Sequence, residues 1–419
     1  MLSAKASEGG RAVDDEKYCC ICTVLRCRVM LTRVEIEGFR SCHNVVLDNL
    51  GPVAVLAGRN AVGKTNILRA IQWAADTATS VKGQQTPNSS GSVSLEAVVG
   101  NTTYRYALTF RGTLTGKPER PFDSRLAESL EHKDGRGSRR PIFQRQNEEV
   151  ILSESPTPIS IGAITPCIPA LVSLMPADSP VVNSIQPFLS VLERIRYYPL
   201  EADTDDGFPD LVTQTAYDEW LTKYRGTGDP GQSVLLRLLH MSLASKPQFE
   251  EIVGLLGPNG LGLVDQIAVR DLGSPKPTDH KGETNRLYWL SFQPSLQSNH
   301  FSFRDLSAGT QRIIRLIVSL IFDQSAVMLV EHPEDSIHRG LLRKLLGVLQ
   351  TYCDQSQLIL SSHSSAVFDT LDPKAIQLVT MEKGATKVRA LTPEELHAAG
   401  RFMEEEGSLS DFIETVEEV

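Results

Sequence analysis

Eight consecutive residues carry the clearest chemical signature in this chain. Gly58-Arg59-Asn60-Ala61-Val62-Gly63-Lys64-Thr65 matches G-x-x-x-x-G-K-[ST] at every fixed position. The glycines permit a tight loop whose backbone N–H groups converge on phosphate oxygens. Lys64 supplies a positive charge for the outer phosphates, and Thr65 a hydroxyl for Mg²⁺. A helix starting at Lys64 adds the positive end of its dipole. Such a loop needs an acid for the metal at the end of another buried strand. Glu331 meets that need, because it follows the apolar run Ala326-Val327-Met328-Leu329-Val330.

Two further segments hold polar groups where chemistry could use them. Ser307, Gly309, Thr310 and Gln311 form a small hydroxyl-bearing loop ahead of an apolar helix over 313–322. A loop of this kind at a helix start binds phosphate, although Ser-x-Gly is also an ordinary helix cap. His363 closes the buried strand 357–361, within Ser362-His363-Ser364. A histidine there is either a structural hydrogen-bonder or a group facing a ligand across the strand ends.

The elements that position these groups can be read from periodicity. Residues 31–39 alternate apolar and polar, as a half-buried strand does, and residues 45–47 repeat the pattern. Residues 53–57 are continuously apolar and end in glycine, which predicts a strand buried on both faces. Ile67, Leu68, Ile71 and Ala75 fall at helical spacing after the loop. Residues 92–99 and 103–111 predict a hairpin across Gly100-Asn101.

From Gly112 the character changes. Arg136, Arg139, Arg140 and Arg145 crowd one stretch, and seven prolines between Pro156 and Pro187 punctuate the next. The arginines suit either a nucleic-acid backbone or solvated loops, and the solvated reading is preferred. The same holds for the exposed-looking basic face over 339–344. Helices are expected over 233–243 and 249–256, an exposed loop over 271–283, and a strand through Phe292. No internal repeat or long heptad run is present.

Composition fits this picture. A chain of 419 residues with 41% hydrophobic and 22% charged residues is that of a globular protein with a full core. Its net charge of −9 disfavours blanket coating of nucleic acid but leaves room for a local basic patch. No apolar run reaches the roughly 18–20 residues of a membrane span. Cys19, Cys20, Cys22 and Cys27 lie close together, yet a second zinc hook is missing; with Cys42, Cys167 and Cys353 they suit a reducing cytoplasm. Residues 1–29 make a poor secretion signal, because acids occupy its beginning. They read as a poorly ordered extension, or as sequence upstream of a natural start at Met30.

Taken together, the order of these motifs resembles the ABC-type ATPases. More narrowly, the chain is similar to the RecF/SMC-related AAA-family ATPases found beside the overcoming-lysogenization-defect (OLD) nucleases. The opening Val34-Glu35-Ile36-Glu37-Gly38-Phe39-Arg40-Ser41, with Asn60, Thr65 and Asn66, is similar to that group. Residues 306–311 correspond to its signature loop, residues 327–334 to its Walker B segment, and residues 358–364 to its switch-histidine strand. Tyr197-Tyr198 and residues 404–412 are also similar.

The resemblance implies an α/β P-loop NTPase head with a mixed, largely parallel sheet flanked by helices, and a mostly helical insertion. Expected boundaries are 1–29 for the extension, 30–111 and 288–419 for the two head halves, and 112–287 for the inserted arm. It also implies ATP and Mg²⁺ as cofactors, with Thr65 and Glu331 on the metal. Gly58, Asn60, Gly63, Lys64, Thr65 and Asn66 would hold the nucleotide. The partner is implied to be a second copy of the chain, whose Ser307, Gly309, Thr310 and Gln311 complete the site across a head-to-tail dimer.

One position departs from the family pattern. The family has a second acid directly after the metal-binding one, and here that residue is His332. A general base is worth about 10²–10⁴-fold, so its loss raises the barrier by roughly 3–5 kcal/mol. Three readings stay open: His332 as the base of slow hydrolysis, Glu334 in its place, or an ATP-dependent scaffold that barely turns over. With His363, these are the candidate catalytic residues beside Glu331.

The expected function is a cytoplasmic switch subunit that controls a separate effector, such as a nuclease or toxin, in anti-phage defence or DNA repair. The nuclease domain of the OLD proteins is expected to be absent, and contact with nucleic acid stays open. A transporter nucleotide-binding subunit is the alternative of another class. The roughly 240 residues between Lys64 and Leu306 disfavour it.

Overall fold

The computed structural model describes residues 29–80, 90–117, 120–199, 211–227, 233–273, 286–353, 356–405 and 407–417. The four clustered cysteines, nearly all of the expected N-terminal extension, and most of the loop expected over 271–283 lie outside the described residues.

The alternating opening residues form β1 (Val29–Glu37), and β2 (Val45–Leu47) folds back on it. In β1 the buried positions change parity, from Leu31 to Val34 and Ile36. A register shift between Leu31 and Arg33 against the neighbouring strand causes this. The apolar run becomes β3 (Val53–Ala57), whose following turn leads into α1 (Lys64–Thr79). The expected hairpin is β4 (Gly91–Val99) and β5 (Thr102–Lys117).

The hairpin continues into β6 (Arg120–Asp134), β7 (Arg140–Gln146), β8 (Glu149–Leu152) and β9 (Ser155–Ser160). Together they make an eight-stranded antiparallel sheet of order β2-β1-β4-β5-β6-β7-β8-β9. Here the structure departs from the expected helical insertion: its first part is strand, and the boundary at Gly112 falls inside β5. The signal was weak because these strands bury one face only. Val150 and Leu152 of β8 are buried while Glu149 and Ile151 are exposed. Arg145 is also no solvated loop residue. Its guanidinium is fully buried, 3.2 Å from Glu128 and 2.7 Å from the carbonyl of Thr165. Arg139 pairs with Glu96, while Arg136 and Arg140 are exposed.

Helices then alternate with short strands: α2 (Cys167–Leu174), α3 (Pro180–Leu192), β10 (Ile195–Tyr198), β11 (Leu211–Thr213), α4 (Gln214–Thr227), α5 (Val234–Ala244) and α6 (Lys246–Leu256). β12 (Val264–Asp271) and β13 (Leu287–Pro294) form a small antiparallel sheet with β11. The chain continues as α7 (Ala308–Asp323), β14 (Val327–Glu331), α8 (Arg339–Thr351), β15 (Gln357–Ser362) and α9 (Ser365–Phe368). It ends with β16 (Ile376–Glu382), β17 (Ala385–Ala390), α10 (Pro393–Glu405) and α11 (Leu409–Glu417).

The mixed, largely parallel sheet has the order β10-β14-β15-β3-β16-β17, and only β17 runs antiparallel. Its strand β10 comes from within residues 112–287, so that stretch also builds the head. The sheet separates two cores. Leu56, Leu329 and Ile359 face α1 and the antiparallel sheet. Val55, Val330 and Leu360 face α5, α7 and α8. Burial on both sides is why these strands read as continuous apolar runs.

Gln357 joins the two large sheets. Its side-chain amide accepts from the Leu31 N–H and donates to the carbonyls of Leu31 and Gly51, each at 2.8 Å. A buried glutamine thus satisfies the backbone where β1 shifts register. Register also fixes the functional edge. Glu331 pairs with Ser361, Ser361 with Leu56, and Ser362 with Ala57. The carboxyl ends of β14, β15 and β3 therefore finish level, at the side where open α/β sheets take ligands.

Candidate functional site

The loop after β3 is tight because its surroundings leave no room for side chains. A Cβ on Gly58 would lie 2.2 Å from the Val379 carbonyl oxygen. One on Gly63, where φ is +102°, would lie 2.0 Å from Thr386 Oγ1. Gly63 leads into α1 without a side-chain cap, so the first helical N–H groups remain for an anion. Lys64 is buried and folds back over the loop, its Nζ donating to the carbonyls of Gly58 at 2.7 Å and Arg59 at 2.8 Å. A brace from distant sequence holds the loop. Thr386 donates to the Val62 carbonyl and lies 2.8 Å from the Ser41 hydroxyl, which also accepts from Asn66. Asn66 thus engages the brace, together with Arg40. Thr386 carried no signal in the sequence.

Glu331, at the end of β14, receives two hydrogen bonds. Thr65 Oγ1 donates to one carboxylate oxygen and the Tyr197 hydroxyl to the other. Tyr197 sits on β10, the neighbour of β14. Burial, then the Glu331 carboxylate, push its hydroxyl up to about 12, so it remains a donor at neutral pH. Thr65 and Glu331 together offer only hard oxygen atoms, which fits Mg²⁺.

His332 follows in a left-handed conformation, φ +45°. Its N–H donates to the Ser361 carbonyl at 3.0 Å, and its carbonyl accepts from Arg312 at 2.6 Å. Arg312 also reaches the Glu331 carbonyl, tying α7 to this turn. Glu334 turns back toward β15, where one carboxylate oxygen accepts from the Ser362 hydroxyl at 2.8 Å and the His363 N–H at 3.2 Å. His332 Nδ1 lies 3.3 Å and His363 Nδ1 3.4 Å from that same oxygen. Burial alone would raise the Glu334 carboxyl, but His332 and the other donors outweigh it and hold it below the usual range.

Ser307 caps α7, accepting from the Thr310 N–H at 3.2 Å, and its hydroxyl lies 2.9 Å from that of Thr310. Gln311 donates to the carbonyls of Arg304 and Leu306. Gly309 is required sterically, because a Cβ there would lie 2.3 Å from the Ser336 carbonyl oxygen. The loop 307–311 contributes nothing to the cavity of ≈ 360 Å³ beside Gly58, Arg59 and Asn60. His363, Ser365 and Phe368 line its other wall, with Ser410, Ile413 and Glu414 of α11. Ser410 falls within the family-like stretch 404–412, whereas Ile413 and Glu414 had no motif to mark them.

Two families match the chain in stretches that bracket this geometry. Residues 33–159 match one described as "AAA domain". Residues 252–369 match one described as "AAA domain, putative AbiEii toxin, Type IV TA system". The chain thus carries AAA-domain sequence in two stretches, each under a third of its length.

Among solved structures, this chain is similar to an Smc head bound to the C-winged helix domain of ScpA, at 12% identity and TM-score 0.43, covering 87% of this chain and 99% of that one. The Pyrococcus furiosus Smc head, with an extended coiled coil and bound to the C-terminal domain of ScpA, gives 12% identity and TM-score 0.42, covering 90% and 99%. The Thermotoga maritima SMC head gives 14% and 0.36, covering 86% and 99%. Two uncharacterised proteins of Methanocaldococcus jannaschii share short stretches with the chain. MJECL44 is 46% identical over 43 residues, which are 10% of this chain and 13% of that protein. MJECL10 is 35% identical over 48 residues, 12% of this chain and 22% of that protein. The matches thus span a small part of either relative. No helix among the described residues is long and apolar enough to cross a membrane.

Proposed function

We propose that this chain binds ATP with Mg²⁺ at residues 58–65 and Glu331, hydrolyses it slowly, and serves as a cytoplasmic switch for a separate effector. The observation that carries the reading is the hydrogen bond from Thr65 to Glu331, which joins the phosphate loop to the acidic strand end. Bound there, Mg²⁺ would supply charge neutralisation at the phosphate oxygens. Lys64 exchanges its two loop carbonyls for phosphate oxygens, and the N–H groups of the loop orient them. His332 and Glu334 are the groups able to take the proton of an attacking water, with His363 beside them. Glu334 is held in its charged form by several donors, a weak base by that measure, which is consistent with slow turnover.

In this reading Ser307, Gly309, Thr310 and Gln311 act on the nucleotide of a second copy. Their absence from the cavity of their own chain supports that role. A nuclease or toxin is the proposed effector. The description of the family matched at residues 252–369 supports a defence setting.

Steady-state phosphate release tests the reading, with ATP binding and molecular mass in ATP measured alongside. Wild type should release phosphate faster than Lys64→Ala and gain a dimer with ATP. If wild type binds ATP but is no faster than Lys64→Ala, the hydrolytic switch fails and the non-hydrolysing scaffold takes its place. His332, standing where an acid is expected, is the observation that favours that second reading.

A further inference from the structure

His332, Glu334 and His363 place three metal-binding atoms within 4.8 Å of one another. We propose that they form a site for Zn²⁺ or a similar first-row divalent cation, separate from the oxygen-lined Thr65–Glu331 pair. Both histidine Nδ1 atoms aim at one Glu334 oxygen, at 3.3 and 3.4 Å. Charge-assisted N–H···O bonds run at about 2.7–2.9 Å, so these contacts are long for hydrogen bonds. Ligands about 2.0–2.1 Å from a tetrahedral ion, in contrast, stand roughly 3.3–3.4 Å apart.

The same carboxylate has a second, unmet demand. Glu334 is only 8% exposed, and its second carboxylate oxygen is buried without a hydrogen-bond partner among the described residues. A buried anionic oxygen left unsatisfied is costly, and a cation bound by both oxygens of the carboxylate would remove that cost.

The surroundings brace the three ligands as supporting groups brace metal sites. Ser362 and the His363 N–H hold the shared oxygen. Ser361 and Arg312 fix the backbone of His332 from both sides. Two imidazoles and a carboxylate select Zn²⁺ or its neighbours rather than Mg²⁺. Three protein ligands leave a coordination position open, and His363, 44% exposed, lines the cavity beside Gly58.

The test uses the full chain, free of nucleotide, with Cys19, Cys20, Cys22 and Cys27 replaced by serine so that thiolates do not compete. Zn²⁺ is titrated calorimetrically, and Co²⁺ is followed by its visible absorption as a four-coordinate probe. One ion should bind per chain, without sulfur charge-transfer bands. His332→Asn, Glu334→Gln and His363→Ala should each weaken binding on the order of a hundredfold, the upper scale for groups that merely support a ligand. His397→Ala, an exposed histidine elsewhere, should leave it unchanged. Thermal unfolding without metal shows which variants fold, and asparagine suits the left-handed position of His332. Absence of stoichiometric binding, or binding unchanged in a folded His332→Asn variant, overturns the proposal.

Discussion

The Thr65 hydroxyl donates to the carboxylate of Glu331, a residue 266 positions later in the chain. Exchanging one oxygen partner for a metal would leave both residues in place. Glu331→Gln should therefore retain ATP binding without Mg²⁺. The strengthening that Mg²⁺ gives should fall by about tenfold or more. Calorimetry with and without the metal reads the difference, and an unchanged Mg²⁺ effect would remove Glu331 from the metal.

Tyr197 holds the other oxygen of the same carboxylate. Tyr197→Phe should raise the Mg²⁺ concentration for half-maximal ATP binding about tenfold. Because burial and Glu331 push the Tyr197 hydroxyl up to about 12, it stays protonated on both sides of neutrality. The wild-type to variant ratio should thus be flat from about pH 6 to 10. A ratio that collapses near pH 8 would exclude the phenol as the donor.

The buried Glu128 accepts from the Tyr106 hydroxyl at 2.9 Å, from Arg145 and from the Cys167 N–H. Glu128→Ala leaves the Arg145 cation unpaired in the core and should cost about 3–5 kcal/mol in urea unfolding. Arg145→Met and the double variant complete a cycle. The two single costs should exceed the cost of the pair, since each alone strands a charge. Additive costs would show that the two charges do not depend on each other.

Burial pushes the Cys42 thiol up to about 11, and that of Cys167 higher still. At pH 8 only about 0.1% of Cys42 would be thiolate, the form that reacts. Iodoacetamide at pH 8 followed by peptide mapping should leave Cys42 and Cys167 unlabelled in the native protein and labelled in urea. The Cys42 rate should rise about tenfold per pH unit toward pH 10. Fast native labelling of Cys42 at pH 8 would contradict its burial.

The phosphate loop was legible because strand, turn and helix are contiguous, so spacing alone records them. Glu331 was legible for the same reason: one apolar strand and its next residue. The antiparallel sheet beyond Gly112 was hidden, because β7 and β8 are short and carry polar residues such as Arg140, Gln144 and Glu149 at exposed positions, while prolines punctuate β9. Arg145 looked solvated because its partners, Glu128 and the carbonyls of Ile161, Gly162 and Thr165, lie on other strands and turns. Gln357 gave no sign that it completes the backbone of Leu31, 326 positions away.

By itself, then, the sequence determined which local elements exist and which residue types stand at their ends. Hydrophobic period and turn chemistry act within a few residues, and a linear text preserves them. Tertiary structure alone decided which ends meet. Strand register set Glu331, Ser361 and Leu56 level across β14, β15 and β3. The same register brought Glu334 under His363, and β10 placed Tyr197 on Glu331. Those contacts follow from long-range pairing and shared burial, which no local pattern encodes.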